Sequence, residues 1–322
     1  MHIIFSSLKN IDQTGCGKLS STQKIPDTNM DEKQYFQSYD GAALMYRRRL
    51  PERPEQDVPI VLLHGAASNS TRWWHFVEHS QLAQDRLLLR PDLRGNGESM
   101  WRGAAGIDHW VQDIAEMLRH AQQTRAIVLG HCLGANIAMH FAARYPEMCA
   151  GLILVEPMAA DAVTGILARI KPLAPLFRFI VKILNLLNRI GIYRRRLDTV
   201  DLKELDSPVH HAAPEDKEQA LSNHGSVWHD LKTTPAAQYI NNFIATIRPL
   251  PIAAIACPCL IIQSSGNSMT DAVKTKALFG TSLLMEFFEL ESRHWIPATH
   301  PDRLCELVDE WVIKHQDYFQ TA

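Results

Sequence analysis

The residues best suited to chemistry stand at Gly130-His131-Cys132-Leu133-Gly134. An apolar run, Ala126-Ile127-Val128-Leu129, leads in, and a helix-like stretch, residues 135–142, leads out. A strand that turns sharply into a helix pushes the residue at the turn to its tip. Glycines two positions to either side let strand and helix approach closely. Here the tip is Cys132. An ionised thiol is a better nucleophile than a hydroxyl, and a helix N-terminus beside a histidine favours the thiolate. The chemistry on offer is nucleophilic attack with a covalent intermediate. The plainer alternative is a buried structural cysteine.

Other elements must hold that turn. Residues 58–63 and 87–89 are short continuous apolar runs, as strands buried on both faces are. The first ends in His64-Gly65, the second in Arg90-Pro91-Asp92-Leu93-Arg94-Gly95-Asn96-Gly97. Residues 35–39 and 43–50 predict two early strands around the turn Asp40-Gly41. Residues 107–122 have helical spacing, with Trp110, Ile114, Met117, Leu118 and Ala121 on one face. Strands are expected again at 151–155, 260–263 and 284–290, and a closing helix at 304–313. Strands alternating with helices imply an α/β fold with a mostly parallel sheet and helices on both faces. The alternation stops between Pro157 and about Ile255, which reads as a helical insertion. Its segment 166–196 combines apolar Leu167, Ile170, Leu173, Leu176, Phe177, Ile180, Ile183, Leu184 and Leu187 with basic Arg169, Lys171, Arg178, Lys182, Arg189 and Arg194-Arg195-Arg196. That pattern suits a lid helix over a pocket. It also suits contact with a membrane surface or lipid, although Pro172 and Pro175 interrupt its front.

The chain has 322 residues, enough for one large domain with an insertion or two modest ones. Its formal net charge of −2 exerts no general pull on nucleic acid, and no nucleic-acid partner is expected. Six cysteines, at 16, 132, 149, 257, 259 and 305, match neither a zinc ribbon nor a disulfide scaffold, so a reducing, cytoplasmic setting is expected. Residues 1–33 are read as a flexible tail. Its apolar start is too short for a signal-peptide core, and its polar remainder is not Arg-rich as an organelle-targeting segment is. No phosphate loop, dinucleotide glycine fingerprint or local cluster of metal ligands stands out, so no cofactor and no metal are expected.

Taken together, these motifs resemble the α/β-hydrolase family from about residue 35 to the C-terminus. His64-Gly65 is similar to the family's oxyanion-loop dipeptide, residues 92–99 to its Asp-x-Arg-Gly-x-Gly-x-Ser turn, and Gly130–Gly134 to its nucleophile elbow. Ser292-Arg293-His294-Trp295 with His300-Pro301 resembles the segment that carries the catalytic histidine. The resemblance implies an eight-stranded, mostly parallel sheet. It divides the chain into a core of 34–156 and 256–322 and a helical cap of 157–255. It implies Cys132 as nucleophile and His294 as base, with backbone N–H groups of Ala66 and Leu133 as the oxyanion hole. The third member stays open. The loop after strand 260–263, where the family most often has an Asp, offers only Asn267. Glu156 ends strand 151–155, where some relatives carry their acid, and Asp271 is a further alternative. Trp73, Trp295 and His131 are expected at the substrate pocket, His131 also as a packing residue. His64 is expected to hold the oxyanion loop and Arg94 to brace its turn.

The leading reading is hydrolysis of an ester, thioester or lactone of an apolar, small-molecule acyl substrate through a Cys132 acyl-enzyme. Transfer of the same acyl group, or a catalytically silent ligand-binding protein, are the alternatives. The oligomeric state has no signature in the sequence.

Overall fold

The structure of the protein, a computed structural model, describes residues 31–53, 58–212, 226–266, 268–280 and 284–321. Eight strands form one sheet: β1 (Asp31–Gln37), β2 (Ala43–Arg49), β3 (Ile60–Leu63), β4 (Leu88–Pro91), β5 (Ala126–His131), β6 (Cys149–Val155), β7 (Cys259–Ser264) and β8 (Met285–Leu290). Their order is β1-β2-β4-β3-β5-β6-β7-β8. β2 pairs antiparallel with β1 and β4, and all other neighbours pair parallel.

The tail expected over 1–33 ends sooner, because Asp31, Glu32 and Lys33 belong to β1; its residues 1–30 lie outside the described residues. The strand expected at 35–39 covers only the end of β1; its start, residues 31–34, escapes pattern reading because it is polar. Asp31 and Glu32 face Arg49 and Arg48 across the hairpin, and opposite charges in register stabilise a strand that has no apolar alternation. At the other extreme, every residue of β3 to β7 is buried. Ile60, Leu62, Ile127, Leu129 and Ile153 face one core, and Val61, Leu63, Val128, Leu152 and Leu154 the other. Continuous apolar runs follow from this, since both faces of the sheet are covered.

The main helices are α1 (Trp74–His79), α2 (Ile107–His120), α3 (Leu133–Arg144), α4 (Ala174–Arg189), α5 (Leu202–His211), α6 (Ala236–Thr246) and α7 (Pro301–Lys314). Phe76 of α1 and Val308 and Trp311 of α7 pack in the first core; Ile114 of α2 and Met139 of α3 pack in the second. α4 to α6 lie among the described residues of the stretch between β6 and β7. Pro172 and Pro175 do not destroy its front. Each sits in the first turn of a new element, the 3-10 turn Lys171–Leu173 and α4, where an N–H is not needed.

The apolar residues of α4 form one broad face, opposite Arg178, Lys182 and Arg189, and only part of that face is covered. Ala174 and Val181 are buried and Phe177 packs edge-on against Phe243 of α6 at 5.2 Å, while Leu173, Leu176, Phe179, Ile183, Leu186 and Ile190 form an exposed outer row. The insertion is tied to the core through buried Asn136 of α3. Its side chain donates to the carbonyls of Met158 (3.0 Å) and Thr246 (3.3 Å) and accepts from the Met158 N–H (2.9 Å).

Candidate active site

The turn between β5 and α3 needs its glycines. A Cβ on Gly130 would stand 2.3 Å from the backbone of Gly134, and one on Gly134 would stand 2.3 Å from the Leu63 carbonyl. Between them Cys132 has φ +54° and ψ −116°, a conformation non-glycine residues rarely adopt. Hydrogen bonds hold it there: its N–H donates to Val155 at 2.9 Å, and its carbonyl accepts from Ala135 (3.0 Å) and Asn136 (3.2 Å). The thiol sits at the N-terminus of α3, beside N–H groups that have no acceptor within the helix.

His294, in the loop after β8, has the Cys132 sulfur beside it on one side, close enough to raise its pKa. On the other its Nδ1 lies 3.1 Å from Oε2 of Glu156. Burial by itself would lower the imidazole's pKa. The Cys132 sulfur and the Glu156 carboxylate outweigh burial and raise it to about 10. Glu156 is completely buried and has φ +53°. Burial would push its carboxyl up, but the bond to His294, with those from the Ser268 hydroxyl and the Ser264 N–H, holds it below the usual carboxylate range. Among the described residues, Glu156 reaches His294. Asp271 is spent elsewhere, capping the helix Ala272–Phe279 through the Lys274 N–H at 2.9 Å. Asn267 lies outside the described residues.

Two further histidines are structural supports. Burial lowers His64 to about 4, so it is neutral. Its Nδ1–H donates to the Gly65 carbonyl (2.8 Å) and its Nε2 accepts from the Leu93 N–H (3.0 Å), which fixes the loop carrying Ala66 to the following turn. Burial and the neighbouring His294 lower His131 to about 3. Its Nε2–H donates to the His294 carbonyl at 3.0 Å, and so it positions the loop of that residue. Arg94 braces its turn as expected, bonded to both Asp40 (2.5 and 2.9 Å) and Asp113 (2.6 and 2.9 Å).

Cys132, His294, His131, Trp295 and Ala66 open onto a cavity of about 870 Å³. Leu167, Ile170, Phe177, Ile240 and Phe243 of the insertion supply much of its apolar wall. Trp73 corrects the sequence reading, because it is not in the wall. It is 1% exposed and packs edge-on against Phe76 at 6.4 Å, in the core beneath the sheet. The short turn Ser70–Trp73 aims it inward, which adjacency to the oxyanion loop could not reveal.

Two polar groups in the wall escaped sequence reading. Arg72 makes a buried ion pair with Asp206 of α5 and lies 5.8 Å from the Trp295 ring. Asp230, bonded to Tyr239, has its carboxyl raised by burial to about 6. Neither pair has a local spacing signal, since 134 residues separate the first two.

Comparison with known proteins agrees with this architecture. The chain is 32% identical to lipase LipV of Mycobacterium tuberculosis over 107 residues, 33% of this chain and 40% of the lipase. It is 29% identical to protein phosphatase methylesterase 1 of Candida albicans over 164 residues, 47% of this chain and 45% of that protein. The chain thus spans less than half the length of these relatives. An esterase from Exiguobacterium antarcticum has the same fold, with a TM-score of 0.62 at 16% identity over 87% of this chain and 98% of the esterase. A family profile described as the alpha/beta hydrolase fold matches residues 58–301, more than half of the chain, and the protein belongs to that family.

Proposed function

We propose that the protein hydrolyses an ester, thioester or lactone of an apolar acyl compound through an acyl-enzyme on Cys132. The observation that carries this reading is the run from Cys132 to His294 to Glu156 at the edge of a large cavity walled by apolar side chains. The Cys132 sulfur attacks the carbonyl carbon as His294 takes its proton. The negative oxygen of the tetrahedral intermediate is held by the N–H groups of Leu133 and Ala66. As the intermediate collapses, His294 gives its proton to the departing alkoxide or thiolate, leaving an acyl-thioester on Cys132. Water then attacks that carbonyl while His294 takes its proton, and collapse returns the carboxylic acid and the free sulfur. Glu156 keeps the imidazole oriented and stabilises its charge. An acceptor other than water would turn the same intermediate to acyl transfer. The helices between β6 and β7 act as a cap that excludes water. A thiol nucleophile works in a reducing setting, and we place the protein in the cytoplasm on that ground.

The exposed outer row of α4 favours one addition. Arg178, Lys182 and Arg189 are exposed on the same helix, and Arg194, Arg195 and Arg196 follow it. We propose that this face meets an anionic lipid surface. Liposome binding that is lost when Arg194, Arg195 and Arg196 become Ala supports the contact; unchanged binding removes it.

The test of the main reading is incubation with p-nitrophenyl esters and acyl-thioesters of graded chain length, followed by intact-mass analysis. An acyl adduct and turnover, both absent in Cys132→Ala, are expected. Turnover that persists in Cys132→Ala sinks the proposal, and an adduct without turnover in water but with transfer to an added alcohol or thiol selects acyl transfer.

A further inference from the structure

Outside the cavity, three side chains distant in sequence meet where the insertion rests on the core. His75 comes from α1, His210 from α5 and Asp302 from the first turn of α7. One nitrogen of each imidazole and a carboxylate oxygen lie within 4.8 Å of one another. His210 Nε2 is 3.1 Å from Oδ2 of Asp302, a hydrogen bond. His75 Nε2 is also 3.1 Å from that carboxylate, at Oδ1, but off the line of a hydrogen bond. His75 is only 3% exposed, so its Nε2 is a buried polar atom with no hydrogen-bond partner. Buried polar atoms are seldom left so, and one that is calls for an explanation.

We propose that His75, His210 and Asp302 bind a divalent transition-metal ion of the zinc type. Two imidazoles and one carboxylate are a donor set for Zn²⁺, whereas Mg²⁺ and Ca²⁺ prefer oxygen alone. Ligand atoms at about 2.0–2.2 Å from a tetrahedral zinc stand about 3.3 Å apart. Each imidazole nitrogen is already 3.1 Å from an oxygen of the shared carboxylate, so small side-chain movements close the set.

The ring of His75 is held in place by His79, stacked on it at 4.0 Å. With Nε2 on the ion, Nδ1 carries the hydrogen and faces the Cys305 sulfur at 3.8 Å. The ion enters from solvent, since the side chains of Asp302 and His210 are 67% and 22% exposed, and water completes the coordination. None of the three residues lines the cavity at Cys132, so the ion's role is to fasten α5 to the core. Asp206, one turn before His210 on α5, holds Arg72 in the cavity wall.

The experiment uses the 322-residue chain carrying Cys132→Ala, which removes the nucleophilic sulfur of the cavity as a competing ligand, stripped with chelator and titrated with Co²⁺ and Zn²⁺. One Co²⁺ per chain is expected, with the visible absorption of a low-coordinate nitrogen–oxygen site and no thiolate charge-transfer band. Zn²⁺ should raise Tm by several degrees. His210→Ala and Asp302→Asn, both at partly exposed positions, should each weaken Co²⁺ binding at least about tenfold and abolish the Zn²⁺-dependent rise in Tm. His211→Ala, the neighbouring imidazole, should do neither. Absence of saturable Co²⁺ binding at millimolar metal overturns the site, as does binding unaffected by either ligand substitution. Thermal scans of each metal-free variant show that it is folded before the titration is read.

Discussion

His294 joins opposing influences on a single side chain. Burial disfavours its charge, and Cys132 and Glu156 restore it, so the imidazolium persists to about 10. Removing the sulfur should therefore expose the effect of burial. In Cys132→Ala the His294 ring, followed by NMR, should titrate well below about 10, near the ordinary histidine range; titration unchanged from wild type would mean that Cys132 is not its partner. Glu156 acts through His294. Glu156→Gln keeps the shape but loses the charge, and should lower kcat roughly 10²-fold or more with little change in KM. A loss confined to KM would place Glu156 in substrate binding instead. The motif around Cys132 was readable because a tight turn demands particular residue types at fixed offsets. Glu156 was readable from its place at the end of strand 151–155, with Asn267 and Asp271 as alternatives, because its bond to His294 bridges 138 residues.

At the scale of elements, the same steric logic yields sharp expectations. Gly134→Ala places a methyl group 2.3 Å from the Leu63 carbonyl, so β3 or α3 must move. It should destabilise the protein by about 1–3 kcal/mol and cut activity with it, read from urea unfolding and ester turnover. Stability equal to wild type would show that the elbow is looser than its geometry. Arg94 is wholly buried between Asp40 and Asp113 and bonds the hairpin turn of β1 and β2 to α2. Arg94→Met leaves both carboxylates without their cation and should cost about 3–5 kcal/mol, far more than an exposed pair such as Arg119–Glu116. The buried strands were legible as apolar runs and the insertion as their interruption. The start of β1 was missed because it is polar, although Phe36 further along is buried in the core, and the outer row of α4 because an apolar helix does not reveal how much of its face is covered.

For the whole molecule, buried neutral histidines link stability to pH. His64 and His131 have pKa values lowered to about 4 and about 3 by burial, against about 6.5 in an unfolded chain. Below about pH 6.5 the unfolded state binds protons that the native state refuses. Stability therefore falls with falling pH, by up to about 1.4 kcal/mol per pH unit for each residue. His294 runs the other way: its contribution is complete below about pH 6.5 and is lost as pH rises through about 10. The urea midpoint should be clearly lower at pH 5 than at pH 7.5. A midpoint that is flat over that range would show that buried neutral rings do not dominate the pH dependence of stability. Taken alone, the amino-acid sequence determined what short-range sterics and periodicity encode: a parallel sheet clad in helices, a sharp turn with a thiol at its tip, and a helical insertion after the sixth strand. Only the tertiary structure decided which acid meets His294, that Trp73 points into the core rather than the cavity, and that His75, His210 and Asp302 share one corner. Each of these depends on contacts between residues remote in the chain, and a side chain's direction is set by the packing around it, not by its neighbours in sequence.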